Sequence, residues 1–222
     1  MEKNYILTDG NKFFNASGSM LYVPVYSVVD YDGNVYTEIT IGSQTWLKEN
    51  LKTTHFNNGA SILQLHVDTS LGTNYFDTPV YGYPNDSSVN KAVYGNLYTW
   101  PITQDIRGIT PSGYRIPTSS DFNTLVTYLG GSGVAGGHLK EAGLSHWTTP
   151  NTGADNTSGF TALPAGWLST APGLFLTYGL FWTSTSYDSL NAYRMYVEYN
   201  SAVATVNAGG KGVFQSIRCI KN

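Results

Sequence analysis

Residues 117–130, PTSSDFNTLVTYLG, decide how this chain folds. Thr118 and Asp121 form the T-x-x-D pattern of a helix start, where a hydroxyl and a carboxylate satisfy the first free backbone N–H groups. Phe122, Leu125, Val126 and Leu129 fall at i, i+3, i+4 and i+7 and make one apolar stripe. Gly130 and Gly131 supply a left-handed stop. Pro117 holds the residue before it towards extended backbone. The spacing therefore predicts an extended approach, GYRIP, turning into a short amphipathic helix whose stripe needs a sheet.

The composition supplies that sheet. Among 222 residues there are 24 Gly, 17 Tyr and 5 Trp, while 12% are charged. Gly, Tyr, Thr, Ser and Asn suit strands, turns and irregular loops rather than long helices. A net charge of −3 without a basic run argues against a nucleic-acid partner. No apolar run approaches the roughly 18 residues of a membrane helix, so no membrane insertion is expected. The first residues, MEKNYILTDGNKFFNASG, lack the apolar stretch of a signal peptide. With a single cysteine, Cys219, this leads to the expectation of a chain made in a cytosol. Beside Ile217 and Ile220, Cys219 reads as a small buried apolar residue.

Residues 1–28 read as an N-terminal extension that packs on the domain, a neighbouring subunit or a larger assembly; the domain proper is 29–222. Pro24 confines the run MLYVPVYSVV (20–29) to an edge or a bend. In DYDGNVYTEITIGSQTWLKENL (30–51), Asp32-Gly33 is a tight-turn signal and VYTEITI alternates as a half-buried strand. TWLKENL reads as a helical or irregular closing segment. Residues 52–93 read as a long ordered loop region with short strands. VYGNLYTW (93–100) places Tyr94, Tyr98 and Trp100 at the core. VAGGHLKEAG (134–143) predicts a second short helix, weakened by its glycine pair. From residue 174, four consecutive antiparallel strands are expected: LFLTYGLFWTSTS, AYRMYVEYN, AVATVNAGG and GVFQSIRCI. Alternation in the second puts Tyr193, Met195, Val197 and Tyr199 on one face, and Arg194, Tyr196 and Glu198 on the other.

Several strings, in order and in register, carry a family resemblance: DGNVYTEITIGSQTWLKENL, YGNLYTW, GITPSGYRIPTSSDFNTLVTYLGG, AGGHLKEAG, HWTTPNTGADNTSGFTALPAGW, FWTSTS and GVFQSIRCIKN. Over about residues 30–222 the chain resembles the Fibrobacter succinogenes major paralogous domain, common in Bacteroidetes-type surface proteins. The resemblance implies an α+β, C-type-lectin-like fold: a twisted, mainly antiparallel sheet with two short helices and a large irregular loop region. Thr110 stands where the family usually has a cysteine, and the resemblance implies that this cysteine pairs with the position of Cys219. Losing half of such a bridge costs about 2–5 kcal/mol outside a reducing compartment. A phage particle protein assembled in bacterial cytosol fits both the missing cysteine and the missing leader.

Chemistry is sparse. The four histidines, His55, His66, His138 and His146, share no metal-ligand spacing. No G-x-S-x-G is present, and Cys219 lies in an apolar strand, so no nucleophile signature exists. The lectin-like fold also hosts formylglycine-generating oxidases, which need reactive cysteines absent here. An enzyme is not expected, and no cofactor is required. Calcium is the one ion with candidate ligands: Asn151, Asp155 and Asn156 in NTGADN offer hard oxygens, though the same residues make turns.

The remaining candidate is a surface. Trp182, Tyr187, Asp188, Asn191, Tyr193, Arg194, Tyr196, Glu198, Asn200, Ser201 and Asn207 mix aromatic area with adaptable hydrogen bonding, as recognition surfaces do. The expectation is a non-enzymatic module on a phage virion: a fibre, decoration or tail-tip protein. Its extension would dock to other particle proteins, and its domain would attach the particle to a host glycan or protein. It would be a homo-oligomer, a trimer being one form. A bacterial cell-surface or fimbrial adhesin, and a structural particle protein without a ligand, are the alternatives.

Overall fold

Among the described residues three short α-helices form, one more than expected: α1 (Lys91–Tyr94), α2 (Ser119–Tyr128) and α3 (Ser132–Leu139). They belong to a computed structural model that describes residues 28–66, 77–169 and 171–222, with a backbone pairing of Phe13–Phe14 to Met20–Leu21 ahead of them. The rest of the expected N-terminal extension lies outside the described residues.

Helix α2 starts and stops as its residues dictate. Thr118 Oγ1 accepts from the Asp121 N–H at 3.2 Å, and the Thr118 N–H donates to the Asp121 carboxylate at 2.7 Å. At the other end Gly131 N–H donates to the Val126 carbonyl and Gly130 N–H to that of Thr127, with φ of 93° and 94°. Those two bonds satisfy carbonyls that the helix end leaves free. The stripe residues Phe122 and Leu125 are fully buried, each worth roughly 1.5–3 kcal/mol.

The strands divide into several small sheets rather than one. One joins β1 (Glu38–Ile41), β2 (Gln44–Leu47) and β3 (Tyr114–Arg115). The expected meander is β4 (Tyr178–Ser186), β5 (Asn191–Glu198) and β6 (Ala204–Gly210). A last strand, β7 (Ile220–Lys221), lies between β2 and β3 in the first sheet. All these pairs are antiparallel.

Two expectations are corrected here. TWLKENL does not close the hairpin as a helix. Its first three residues belong to β2, because Trp46 pairs with both Ile39 and Ile220 and is fully buried, while residues 48–51 are irregular as the alternative had it. GVFQSIRCI is not a fourth meander strand beyond β6. It runs along the opposite edge of β4, where Trp182 N–H donates to Ser216 O and Ser216 N–H to Leu180 O. The chain then ends as β7. Within 52–93, short strands Leu63–Gln64 and Val80–Gly82 pair in parallel, and the second pairs with Leu97–Tyr98.

The meander separates two packing layers. On one side Phe181, Met195, Val197 and Ala204 meet Phe122, Leu125 and Val126 of α2 and Ala135 and Leu139 of α3. Trp182 enters the other layer with Tyr98, Trp100, Ile109 and Cys219.

Candidate functional site

Register fixes what the far face of the meander presents. Tyr178 lies opposite Glu198, Leu180 opposite Tyr196, and Trp182 opposite Arg194. Tyr196 and Arg194 in turn lie opposite Thr205 and Asn207. Leu180 and Trp182 are buried, but Tyr178, Arg194, Tyr196, Glu198, Thr205 and Asn207 are all half-buried. The result is a platform with one edge anchored and one edge wet.

Its aromatic part is the Tyr178–Tyr196 pair, with ring centroids 6.0 Å apart. Arg194 lies 5.6 Å from the Tyr196 ring, and its Nε donates to Asn207 Oδ1 at 3.4 Å. Gly209 makes room for it: a Cβ there would come within 2.8 Å of the guanidinium. Burial lowers the Arg194 pKa, and burial raises the Tyr178 phenol to about 12, with Glu198 adding to the rise. The face thus offers two rings, one guanidinium, a carboxylate and an amide.

The expected surface residues separate by place. Trp182 is corrected: it is fully buried, and its Nε1 donates to Tyr98 O at 2.9 Å, so it offers nothing to a ligand. Arg194, Tyr196 and Glu198 share the platform with Asn207. Tyr187, Asp188 and Asn191 lie at the β4–β5 turn. There Asp188 Oδ1 accepts from the backbone of Leu190 and Asn191. Tyr187 is 59% exposed and meets the half-buried Tyr193 edge-on at 5.4 Å. Asn200 is exposed, and Ser201 Oγ accepts from Val203 N–H. Tyr178 and Thr205 were missed; the period-2 pattern of LFLTYGLFWTSTS carried the signal for the first.

The calcium candidates do not face the platform. Asn156 Oδ1 accepts from Thr161 N–H, and the Asp155 carboxylate holds His138 Nδ1 at 2.9 Å. Asn151 Nδ2 donates to the carbonyls of Glu141 and Gly143, and its Oδ1 is buried without a partner among the described residues. A cation does sit beside this loop, and it belongs to the chain. Lys140 Nζ donates to the carbonyls of Thr152, Glu198 and Ser201 at 2.8–2.9 Å. One ammonium therefore ties the 151–156 loop to the end of β5. Lys140 is fully buried, and that burial brings its pKa down to about 8.

Each histidine is engaged through Nδ1 with one carboxylate: His55 with Asp32, His66 with Asp86, His138 with Asp155 and His146 with Glu141. Among the described residues, no group of three or more His, Cys, Asp or Glu is placed to hold a metal ion. No described helix is long and apolar enough to cross a membrane. Cys219 is buried, and burial pushes its thiol well above the ordinary range.

The chain belongs to the Fibrobacter succinogenes major domain family, whose model matches residues 39–221. The match starts within β1, so the preceding hairpin of Val28–Val29 with Val35–Tyr36 falls before it. No curated protein and no solved structure matches the chain.

Proposed function

We propose that the chain is a non-enzymatic recognition module of C-type-lectin-like architecture that presents the outer face of β4–β6 to a bacterial surface glycan. The observation that carries this reading is the Tyr178–Tyr196 platform with Arg194 and Asn207 beside it. Rings with amide and guanidinium donors alongside suit a sugar, whose C–H face stacks while its hydroxyls hydrogen-bond. The architecture is supported by short helices over an antiparallel meander and by a last strand that returns beside β2.

The setting proposed is a phage virion surface, with a fibre, decoration or tail-tip protein attaching to Bacteroidetes-type hosts. A reduced, buried Cys219 fits assembly in cytosol. Other particle proteins are the proposed partners of residues 1–28, with a homo-oligomer, a trimer among the forms, as the working unit.

A glycan panel including host surface polysaccharides, with and without chelator, tests the reading on the intact protein. Binding that survives chelation and falls in Tyr196→Ala or Asn207→Ala supports it. Binding abolished by chelator would move the site to the 151–156 loop. Absence of binding by well-folded protein would leave a structural particle part.

A further inference from the structure

The other side of the meander carries a second feature that the recognition face does not use. Thr40, Gly42, Tyr128, Leu129, His138 and Thr157 are among the residues lining an open cleft of about 330 Å³. It lies where the β1–β2 turn, the end of α2, the last turn of α3 and the 157–158 loop meet. That volume is at the low end of the roughly 300–1,000 Å³ of ligand clefts. It suits one sugar ring better than a peptide.

Tyr128 lies off the apolar stripe of α2 and is 64% exposed, so core packing does not account for its position. Its ring rests on Gly42: a Cβ there would come 2.9 Å from Tyr128 Cδ2, and Gly42 holds a φ of 61°. The glycine lets the ring lie against backbone, which fixes it as a platform. The phenol hydroxyl has no partner among the described residues. Across the cleft, His138 Nδ1 is held by Asp155 at 2.9 Å and by Thr157 Oγ1 at 2.9 Å. That leaves Nε2 as the free ring atom. Among the described residues Thr40 Oγ1 pairs only with Thr45 Oγ1, so it keeps lone pairs for another donor. Asp155 is held ionised by the Thr157 backbone N–H, by His138 and by the Thr157 hydroxyl, which together outweigh burial. Its carboxylate is bonded to two of the lining residues, His138 and Thr157, and a negative charge so close to the cleft disfavours anionic sugars.

We infer that this cleft is a second binding site, for one neutral pyranose unit stacked on Tyr128 and hydrogen-bonded by His138 Nε2 and the Tyr128 hydroxyl. It rests on the recognition reading for the ligand's class, but on different residues. Helices α2 and α3 cover the meander face opposite Tyr196, so the two sites can be tested separately.

The test is a titration of the intact protein with methyl glycosides of neutral hexoses and N-acetylhexosamines, followed by ligand-observed NMR. It compares wild type, Tyr128→Ala, Tyr128→Phe, His138→Ala and Tyr196→Ala. Loss of one stacking ring should weaken binding about tenfold or more. The inference predicts that loss in Tyr128→Ala, a smaller loss in Tyr128→Phe and His138→Ala, and a Tyr128-dependent component of binding that persists in Tyr196→Ala, all at unchanged melting temperature. Binding that falls only in Tyr196→Ala overturns the second site and leaves the proposed function standing. No binding of any glycoside overturns the second site, and the polysaccharide panel then decides the proposed function alone.

Discussion

Gly137 and Gly153 touch backbone to backbone: a Cβ on Gly137 would sit 2.3 Å from the Gly153 carbonyl oxygen. The next glycine in α3 does the same elsewhere, with Gly136 facing Val203 O at 2.3 Å. The pair that weakens the helix by propensity is what allows α3 to dock. Alanine gains about 1 kcal/mol over glycine in an exposed helix. Here it forces backbone apart, and overpacking of that kind costs about 1–3 kcal/mol. Gly136→Ala and Gly137→Ala are each expected to lower the melting temperature. A rise in either would show that α3 is not seated this closely.

Lys140 is expected to be the most costly single side chain to remove near the candidate site. Lys140→Met leaves the carbonyls of Thr152, Glu198 and Ser201 without their shared donor. Uncompensated buried acceptors of this kind cost on the order of 2–4 kcal/mol, or a drop of roughly 5–15 °C. Burial holds the folded ammonium at about 8, below the ordinary value of about 10.4. Between those values the unfolded chain keeps a proton that the folded chain has shed. Through this group, stability rises with pH from about 8 towards 10. Denaturant titrations across that range should show the rise in wild type and lose it in Lys140→Met.

The α2 cap sets an acid limit. Burial would raise the Asp121 carboxyl, but hydrogen bonds from Arg115 and Thr118 outweigh it and bring it to about 2. The folded value lies below the unfolded one, so the stability it contributes is present above about 4 and lost as pH falls towards 2. Its size is on the order of 1–2 kcal/mol, because the Arg115 partner is 41% exposed and solvent screens the pair. Asp121→Asn should flatten this part of the acid limb. An unchanged acid profile would contradict the cap's role.

Cys219 should be inert until the fold opens. Its thiol is buried and its pKa is raised by that burial, so little thiolate forms at neutral pH. A thiol reagent is expected to label the protein only as fast as denaturant unfolds it. Rapid stoichiometric labelling of native protein would refute the packing around β7.

Legibility followed how local each decision was. Helix α2 is specified within residues 117–131, and its cap, stripe and stop all appear as the sequence implies. TWLKENL misleads because Leu, Lys and Glu favour helix, while the pairing of Trp46 with Ile220 spans nearly the whole chain. Residues 214–220 hide their place because they are buried on both sides, which erases alternation. The buried cations are the least legible. Arg218 is fully buried with its donors on Asn50 Oδ1 and the carbonyls of Leu47 and Phe160, and no carboxylate nearby in sequence announces it. Of the site, the alternation in AYRMYVEYN put Arg194, Tyr196 and Glu198 together correctly, whereas Trp182 looked exposed only because its covering strand comes from residues 97–98.

The most direct measurement is a residue-resolved NMR shift map of the labelled protein titrated with a bound host polysaccharide. The account predicts saturable shifts at Arg194, Tyr196, Thr205 and Asn207, with chelator making no difference. Shifts confined to residues 151–156 and abolished by chelator, or none with any polysaccharide, would contradict it.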